Sequence, residues 1–281
     1  MNMIEINDKE FRKISSLVYD RFGINLTEKK KALVRGRLNK LILSLDFSSF
    51  SEYFDYVTKD SSGQKILDMV DKISTNHSYF FREKDHFTYL SETVLPAICN
   101  SPRADNDKKI RIWCAGCANG QEAYTLAIVL REFFGDRNSQ LKPAILATDI
   151  SVTALKNAIE GYYTEEGLSG VPKNLQQKYF NMNKDGSGTA KKELKDMILF
   201  KRLNFMNQNF PFKNKFDIVF CRNVMIYFDN ETKDQLVTKF HRYMLDKSWL
   251  FIGHSETLGR SNNDFTYIKP STYLRVGSVS R

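Results

Sequence analysis

The strongest constraint on the fold is an alternation of short apolar runs and helical segments that begins near residue 108. Apolar runs alternating with helices are typical of a wound, mostly parallel sheet, so the sequence predicts an α/β fold with a doubly wound sheet. The helices are predicted at 122–134, after Ser151, and at 231–245. The strands are predicted at 109–113, 144–147, 198–203, 216–220, 249–252 and 273–276.

The alternation lapses between about residues 162 and 203. Residues 183–189 read Asn-Lys-Asp-Gly-Ser-Gly-Thr, a composition typical of a turn or flexible loop. An inserted unit accounts for such a lapse. We therefore predict a small β subdomain over residues 175–205.

The first 74 residues predict a separate all-α domain. Phe11, Ile14, Leu17 and Val18 follow one face of a helix that Gly23 interrupts. Thr27 is expected to cap a second helix over 30–43, and shorter helical segments are expected at 51–57 and 64–73. The sequence thus divides into a helical domain over 1–74 and an α/β domain over 75–281.

Composition and charge exclude several classes of protein. No apolar run reaches the roughly 18–20 residues that a membrane-spanning helix needs, and the first residues lack the pattern of a secretion signal. The four cysteines are too few for a disulfide framework, which favours a cytoplasmic protein. The formal charge of +9 favours an acidic partner, whether nucleic acid, anionic membrane or acidic protein, and does not choose among them.

A glycine-containing loop after the first strand indicates a nucleoside cofactor. Gly116 and Gly120 let the backbone approach a ligand closely, and Asp149 ends the next strand. A carboxylate at that position can accept both ribose hydroxyls of an adenosine cofactor. The G-x-G-x-x-G pattern of dinucleotide sites is missing, so NAD and FAD are disfavoured. The alternative is a tight turn followed by a helix-capping aspartate.

The pair Cys114 and Cys117 invites a redox or zinc interpretation. Redox cysteines of this type lie directly at a helix N-terminus, whereas residues 118–120 intervene here before the helix. A zinc site needs about four ligands at suitable spacing, and the four histidines are scattered along the chain. We therefore expect packed thiols and no metal site.

Three stretches together resemble the CheR-type chemoreceptor glutamate methyltransferases, which use S-adenosylmethionine. They are residues 74–83 (Ser-Thr-Asn-His-Ser-Tyr-Phe-Phe-Arg-Glu), residues 112–124 around the glycine loop, and residues 216–228 (Phe-Asp-Ile-Val-Phe-Cys-Arg-Asn-Val-Met-Ile-Tyr-Phe). The resemblance covers nearly the whole chain and includes Gly-His-Ser-Glu at 253–256. It implies a Rossmann-like class I methyltransferase domain that follows the helical domain in the sequence.

The resemblance also implies a site, position by position. Ser78 stands where the family usually has threonine, and Gln121 and Ala123 depart from the family's glycine loop, although its acid is kept at Glu122. The family assigns the ribose to the position of Asp149. The positions implied to bind S-adenosylmethionine are Asn76, Ser78, Arg82, Glu122, Asp149, Ile150, Asn204, Phe205, Asn223 and Val224.

The implied reaction fits the residue types. A glutamate carboxylate, with an unperturbed pKa near ~4.3, is ionised at neutral pH, so its alkylation needs no general base. Catalysis then comes from positioning, and we assign Arg82 and Tyr227 to orientation and electrostatics as the catalytic residues. A linker anchor is expected among Tyr79, Phe80 and Phe81.

A basic helix in the first domain is the expected docking element. The family's partner is the acidic helical cytoplasmic region of methyl-accepting chemotaxis receptors, which a basic face would steer. The docking residues are expected to be Arg35, Arg37 and Lys40.

Two other functions stay open at this level. A nucleic-acid methyltransferase fits the positive charge, but residues 223–227 lack the prolines of an Asn-Pro-Pro-Tyr motif. A signalling scaffold that binds the cofactor and methylates nothing would share the same cofactor residues.

Overall fold

The computed structural model describes residues 3–101, 109–135, 142–258 and 264–276. Its first part is helical, and its second part is a large sheet with helices on both faces. Within the described ranges, no helix combines the length and the apolar character needed to cross a membrane. The helices are α1 (Asp8–Phe22), α2 (Lys31–Ser44), α3 (Phe50–Thr58), α4 (Gln64–Ile73), α5 (Lys84–Tyr89), α6 (Leu95–Asn100), α7 (Gln121–Phe134), α8 (Val152–Glu160), α9 (Lys173–Tyr179), α10 (Lys192–Lys195) and α11 (Asn230–Tyr243).

The helical part has its own core, as the spacing of its apolar residues predicts. Asn7 and Glu10 form a capping box that begins α1, and Gly23 ends the helix in a left-handed conformation. Phe11, Ile14 and Val18 are buried in one cluster with α2, α3 and α4. The predicted cap at Thr27 is wrong: its side chain caps nothing, and a 3-10 turn precedes α2.

The strands of the large sheet are β1 (Lys109–Ala115), β2 (Lys142–Asp149), β6 (Ile198–Arg202), β7 (Phe216–Cys221), β8 (Met244–Ile252), β9 (Phe265–Lys269) and β10 (Thr272–Arg275), and the labels β3 to β5 belong to a smaller sheet. Their order in the large sheet is β6-β2-β1-β7-β8-β10-β9. The first five strands in this order are parallel, and β9 and β10 add an antiparallel hairpin beside β8. This confirms the predicted α/β fold with a mostly parallel sheet.

The strand order places a crevice at the carboxyl ends of the central strands. From β1 the chain passes outward to β2 and β6, and then returns to β7 on the other side of β1. Ligands of open α/β sheets bind at such a topological switch point. Loops after four neighbouring strands therefore meet at one edge of the sheet.

A separate three-stranded sheet confirms a small β insertion but corrects its bounds. Its strands are β3 (Tyr162–Tyr163), β4 (Phe180–Met182) and β5 (Gly188–Ala190). The predicted range 175–205 starts too late and ends too late. The range ends too late because it includes β6, which pairs with β2 in the large sheet. It starts too late because it omits β3, which is only two residues long and leaves no periodic pattern in the sequence.

Candidate active site

A cavity of about 370 Å³ lies at the switch point, between the large sheet and the helical domain. Its size is within the range of about 300–1,000 Å³ that is usual for small-molecule sites. The linker between the two domains and the loops after β1, β2, β6 and β7 contribute to its walls. Its lining includes Asn76, Ser78, Arg82, Glu122, Asp149, Ile150, Asn204, Phe205, Asn223, Val224 and Tyr227.

The loop after β1 needs residues without bulk. Gly116 has a φ of +85°, and a Cβ there would lie 2.3 Å from Cγ2 of Val224. The side chain of Val224, after β7, therefore packs directly against the backbone of the loop after β1. Ala118, also at positive φ, donates its backbone N–H to Oδ2 of Asp149 at 2.8 Å.

Asp149 ends β2 as a buried carboxylate. Besides the bond from Ala118, its Oδ1 accepts the backbone N–H of Ser151 at 2.9 Å. Burial raises the pKa of Asp149, and these N–H donors oppose that rise. An ionised carboxylate has about four acceptor positions, so acceptor capacity is left for hydroxyl groups of a ligand in the cavity.

The linker is anchored by one aromatic residue and exposes another. Phe80 is buried and packs edge-on against Tyr163 and Phe180, which confirms an aromatic anchor in the core. Tyr79 is 47% exposed beside the cavity, with the guanidinium of Arg82 5.4 Å from its ring centroid. Phe80 thus fixes the linker while Arg82 stays half-buried at the cavity.

Further linker contacts join the cavity to the domains. Asn76 donates from Nδ2 to Oγ of Ser151 at 3.2 Å, and Nη1 of Arg82 donates to the carbonyl of His77 at 3.3 Å. Ser78 lies half-buried between these two residues and lines the same cavity. The linker residues that the resemblance implies are therefore brought together with Asp149.

A buried arginine that the sequence analysis missed connects the linker to Glu122. The Arg222 side chain is 1% exposed, and its Nε lies 2.8 Å from Oε2 of Glu122. Its Nη2 donates to the carbonyl of Arg82 at 2.5 Å, and its Nη1 lies 3.8 Å from Oε2 of Glu83. One guanidinium thus faces two carboxylates that are 11% and 12% exposed. Its place in the sequence beside Asn223 was the only local signal for this role.

The turn after β7 carries Asn223, Val224 and Tyr227. Asn223 has a φ of 58°, and its Nδ2 donates to Oε1 of Glu83 at 3.3 Å. Tyr227 is half-buried at the end of a 3-10 turn over Met225–Tyr227. The third stretch of the resemblance therefore forms one wall of the cavity.

The helical domain closes the cavity on the side of Tyr227. The carbonyl of Tyr227 accepts the backbone N–H of Asn25 at 2.8 Å, and Lys30 lies with Nζ 5.4 Å from its ring centroid. Asn204 donates from Nδ2 to the carbonyl of Arg21 at 2.7 Å. The Asn204 amide is thus occupied by a domain contact, while Phe205 borders the cavity and packs on Trp113.

Two of the histidines that seemed scattered in the sequence are neighbours. The rings of His86 and His254 meet edge-on with centroids 4.9 Å apart, and their nitrogens lie within 4.8 Å of a Glu83 oxygen. Nη1 of Arg222 donates to Nδ1 of His86 at 3.0 Å, so a cation already faces this group. Burial and the nearby guanidinium lower the pKa of His86 to about 4. We assign no metal ion to this cluster.

Cys114 and Cys117 are buried thiols in the wall behind the glycine loop. Burial raises the pKa of both well above the ordinary thiol value, the opposite of what a reactive thiolate requires. The Cys114 thiol donates to Oε1 of Glu122 at 3.3 Å. Both thiols are packed in the core, as the sequence analysis predicted.

The three candidate docking residues differ in their contacts. Arg35 pairs with Glu5, with nitrogen–oxygen distances of 2.6 and 2.7 Å. Arg37 donates to the backbone carbonyl of Ile73, which lines the cavity. Lys40 is exposed at the C-terminal half of α2. Arg37 therefore helps to hold the end of α4, just before the linker.

Comparisons with known proteins cover both parts of the chain. A family model described as "CheR methyltransferase, all-alpha domain" matches residues 9–74, and one described as "CheR methyltransferase, SAM binding domain" matches residues 76–274. The chain is 44% identical over 272 residues to the chemotaxis protein methyltransferase of Borreliella burgdorferi, covering 97% of this chain and 96% of that protein. It is 35% identical over 262 residues to a probable chemotaxis protein methyltransferase of Rhizobium etli, covering 92% and 96% of the two chains. It is 29% identical over 273 residues to the chemotaxis protein methyltransferase of Escherichia coli, covering 96% and 92%.

Proposed function

The chain belongs to the CheR family of S-adenosylmethionine-dependent chemotaxis methyltransferases, and from that premise we propose its reaction and its substrate. It transfers the methyl group of S-adenosylmethionine to glutamate side chains of methyl-accepting chemotaxis receptors. The products are a glutamate methyl ester and S-adenosylhomocysteine. The observation that carries the proposal is the convergence of Asp149, Asn223 and Arg82, from three distant segments, on one cavity.

The residues of the cavity fit the cofactor. Asp149 supplies a carboxylate with spare acceptor positions for ribose hydroxyls, and Phe205 and Ile150 supply apolar surface for a base. Glu122 supplies a carboxylate acceptor beside the turn at Asn223 and Val224, in the part of the cavity left for an amino-acid moiety. The close approach of Gly116 to Val224 leaves no space for a larger residue in this wall. The bound cofactor supplies an electrophilic methyl group on a sulfonium centre.

The cavity supplies orientation to a nucleophile that is already charged. The receptor carboxylate is ionised at neutral pH, and correct placement of reactants is worth roughly 7–11 kcal/mol of the barrier. Arg82 orients the incoming carboxylate through a loose contact, since a tight ion pair would weaken the nucleophile. Tyr227 lines another part of the cavity wall beside Lys30, and it contributes orientation and electrostatics there through its hydroxyl.

Labelled S-adenosylmethionine tests the proposal directly. The protein is incubated with the labelled cofactor and either receptor cytoplasmic fragments or DNA. We expect base-labile methyl ester on the receptor fragment alone. Label in DNA would instead support a nucleic-acid methyltransferase. Binding of S-adenosylhomocysteine in calorimetry without label in either substrate would support the scaffold alternative.

Arg82→Ala and Tyr227→Phe are expected to lower the rate of methyl transfer by about tenfold or more, because each removes an orienting or electrostatic contact at the cavity. Both side chains are half-buried, so the thermal melting curve should stay close to that of the wild type. A radiolabelled methyl assay measures the rates.

Lys84→Ala is the control for this pair, because Lys84 is exposed two residues after Arg82 and does not line the cavity. Near-normal rates in both cavity variants would remove the catalytic assignment of Arg82 and Tyr227.

We further propose that the basic residues of α2, Arg35, Arg37 and Lys40, dock the acidic receptor helices in the cytoplasm. Lys40 gives the clearest test of the three residues, because reversing the charge of Arg35 would break its ion pair with Glu5, and reversing that of Arg37 would break its bond to the carbonyl of Ile73 at the cavity. Opposite charges at such a surface steer the encounter and fix its register.

Lys40→Glu is expected to raise the receptor KM by about two- to fivefold, the size of an exposed charge interaction, and to leave the affinity for S-adenosylhomocysteine unchanged. Added salt should shrink the difference, because exposed charges are screened. Lys59→Glu, the same change at an exposed residue that follows α3, is the control. An altered cofactor affinity with an unchanged receptor KM would contradict the docking role.

A further inference from the structure

The segment Gly253–Glu256 after β8 has no role in the site described so far, although it folds against the cavity wall. Glu256 is 6% exposed, and its carboxylate receives backbone N–H groups from two separate segments. Oε2 accepts from Asn223 at 2.9 Å and from Gly253 at 2.6 Å. Oε1 accepts from Ile226 at 3.2 Å. The ends of β7 and β8 are therefore joined through one carboxylate.

Gly253 is as tightly constrained as Glu256. A Cβ at Gly253 would lie 2.5 Å from Nδ2 and 2.8 Å from the backbone N of Asn223, and 2.9 Å from Oε2 of Glu256. Heavy atoms at these separations clash, so only glycine lets the two strand ends approach this closely. The contact between the carboxylate and the turn thus depends on two residues of the same short segment.

The turn held by Glu256 is the one that faces the cofactor cavity. Asn223 takes a left-handed conformation with a φ of 58°, which is uncommon for a residue other than glycine. Asparagine adopts this conformation more readily than other residues with a Cβ, and surrounding contacts still constrain which conformation it keeps. The bonds from the backbone N–H groups of Asn223 and Ile226 to one carboxylate supply that constraint, and they set the start of the turn that ends at Tyr227.

We propose that Glu256 is a positioning residue for methyl transfer, which acts by holding Asn223 and the turn over Met225–Tyr227 in the conformation that the cofactor cavity requires. The inference rests on the proposed function only in assigning that cavity to S-adenosylmethionine. Glu256 itself does not line the cavity, so its effect passes through the backbone it binds.

The chemistry of the contact favours a carboxylate over its neutral analogue. A buried charge is costly unless hydrogen bonds offset the loss of water, and backbone N–H donors at Glu256 do so. Burial raises the pKa of Glu256, and these same donors oppose the rise. A glutamine at this position keeps one acceptor oxygen and presents an N–H₂ group toward a backbone N–H, so at least one bond is lost.

Glu256→Gln is therefore expected to weaken binding of S-adenosylhomocysteine by about tenfold and to lower kcat by at least that factor, the cost of about one charge-assisted hydrogen bond. The receptor KM should stay within about twofold, because the docking surface on α2 is untouched. Calorimetry gives the affinity per folded molecule, and the methyl assay gives kcat and KM separately. Ser255→Ala, an exposed neighbour in the same segment, is the control and should behave as the wild type.

A merely structural role for Glu256 predicts a loss of stability without a loss of affinity or kcat. It would lower the melting temperature but leave the affinity and kcat of the folded molecules unchanged, and that result would overturn the proposal. Gly253→Ala gives a second route, because its Cβ would crowd Asn223 and Oε2 of Glu256 at their contact without removing the carboxylate, and it should reproduce the loss of affinity and of kcat. Failure of both variants to fold would also overturn the proposal, since the segment would then be a folding element. An inactive wild-type protein would count against the proposed function, whereas the calorimetric comparison needs no receptor.

Discussion

Replacing Arg222 by methionine is expected to lower the free energy of unfolding by about 3–5 kcal/mol, the usual cost of removing one partner from a buried ion pair. The guanidinium is the cation that faces both Glu83 and Glu122, and the bond to the carbonyl of Arg82 is lost with it. Methionine fills similar space without charge, so the loss reports on electrostatics and hydrogen bonding more than on packing.

Urea unfolding followed by tryptophan fluorescence measures the change in the free energy of unfolding of the α/β domain. The two tryptophans, Trp113 in β1 and Trp249 in β8, both lie in the large sheet. Arg21→Met is the control, because the side chain of Arg21 is exposed in the last turn of α1. The double variant with Glu83→Gln should recover part of the loss, since it removes one uncompensated charge. An Arg222→Met protein as stable as the wild type would show that the carboxylates need no cation there.

Asp149→Asn is expected to weaken binding of S-adenosylhomocysteine by about 30- to 150-fold, or about 2–3 kcal/mol. The carboxylate accepts from Ala118 and Ser151 with different oxygens, so an amide in its place points an N–H₂ group at one of those donors. The loop after β1 then shifts, and the acceptor for the ribose loses its charge. Both effects reduce affinity.

Calorimetry with S-adenosylhomocysteine measures this loss without any receptor. Asp68→Asn, the same change at an exposed position on α4 outside the cavity, is the control and should bind normally. If Asp149→Asn binds within about threefold of the wild type, the loss of binding free energy is smaller than the contribution of one charge-assisted hydrogen bond. That result would remove Asp149 from the ribose site.

Local sequence patterns predicted the longer helices and the five parallel strands. The helix expected at 64–73 is observed as Gln64–Ile73, and Ser151 accepts the backbone N–H of Ala154 at 3.0 Å as a helix cap. These features depend on neighbours within a few residues, which a periodic pattern or a cap residue records directly. Thr27 shows the limit of this reasoning, because a suitable residue before a helix did not form the expected bond.

Contacts between distant segments were not readable in the same way. Arg222 meets the Arg82 carbonyl across 140 positions of sequence, and no local pattern marks a charge that becomes buried on folding. The contact between the rings of His86 and His254 was missed for the same reason. The two-residue strand β3 was missed because it is too short to show alternation.

The sequence by itself determined the longer helices and the five parallel strands, the glycines that the loop after β1 requires, and the motif residues that resemble one methyltransferase family. Only the tertiary structure decided which charges share the buried guanidinium of Arg222 and which carboxylate holds the turn at Asn223. The physical reason is the sequence separation of the interacting residues. Helix and strand formation depends on residues a few positions apart. The pairing of buried polar groups depends on strand order, which places residues from distant parts of the chain against one another.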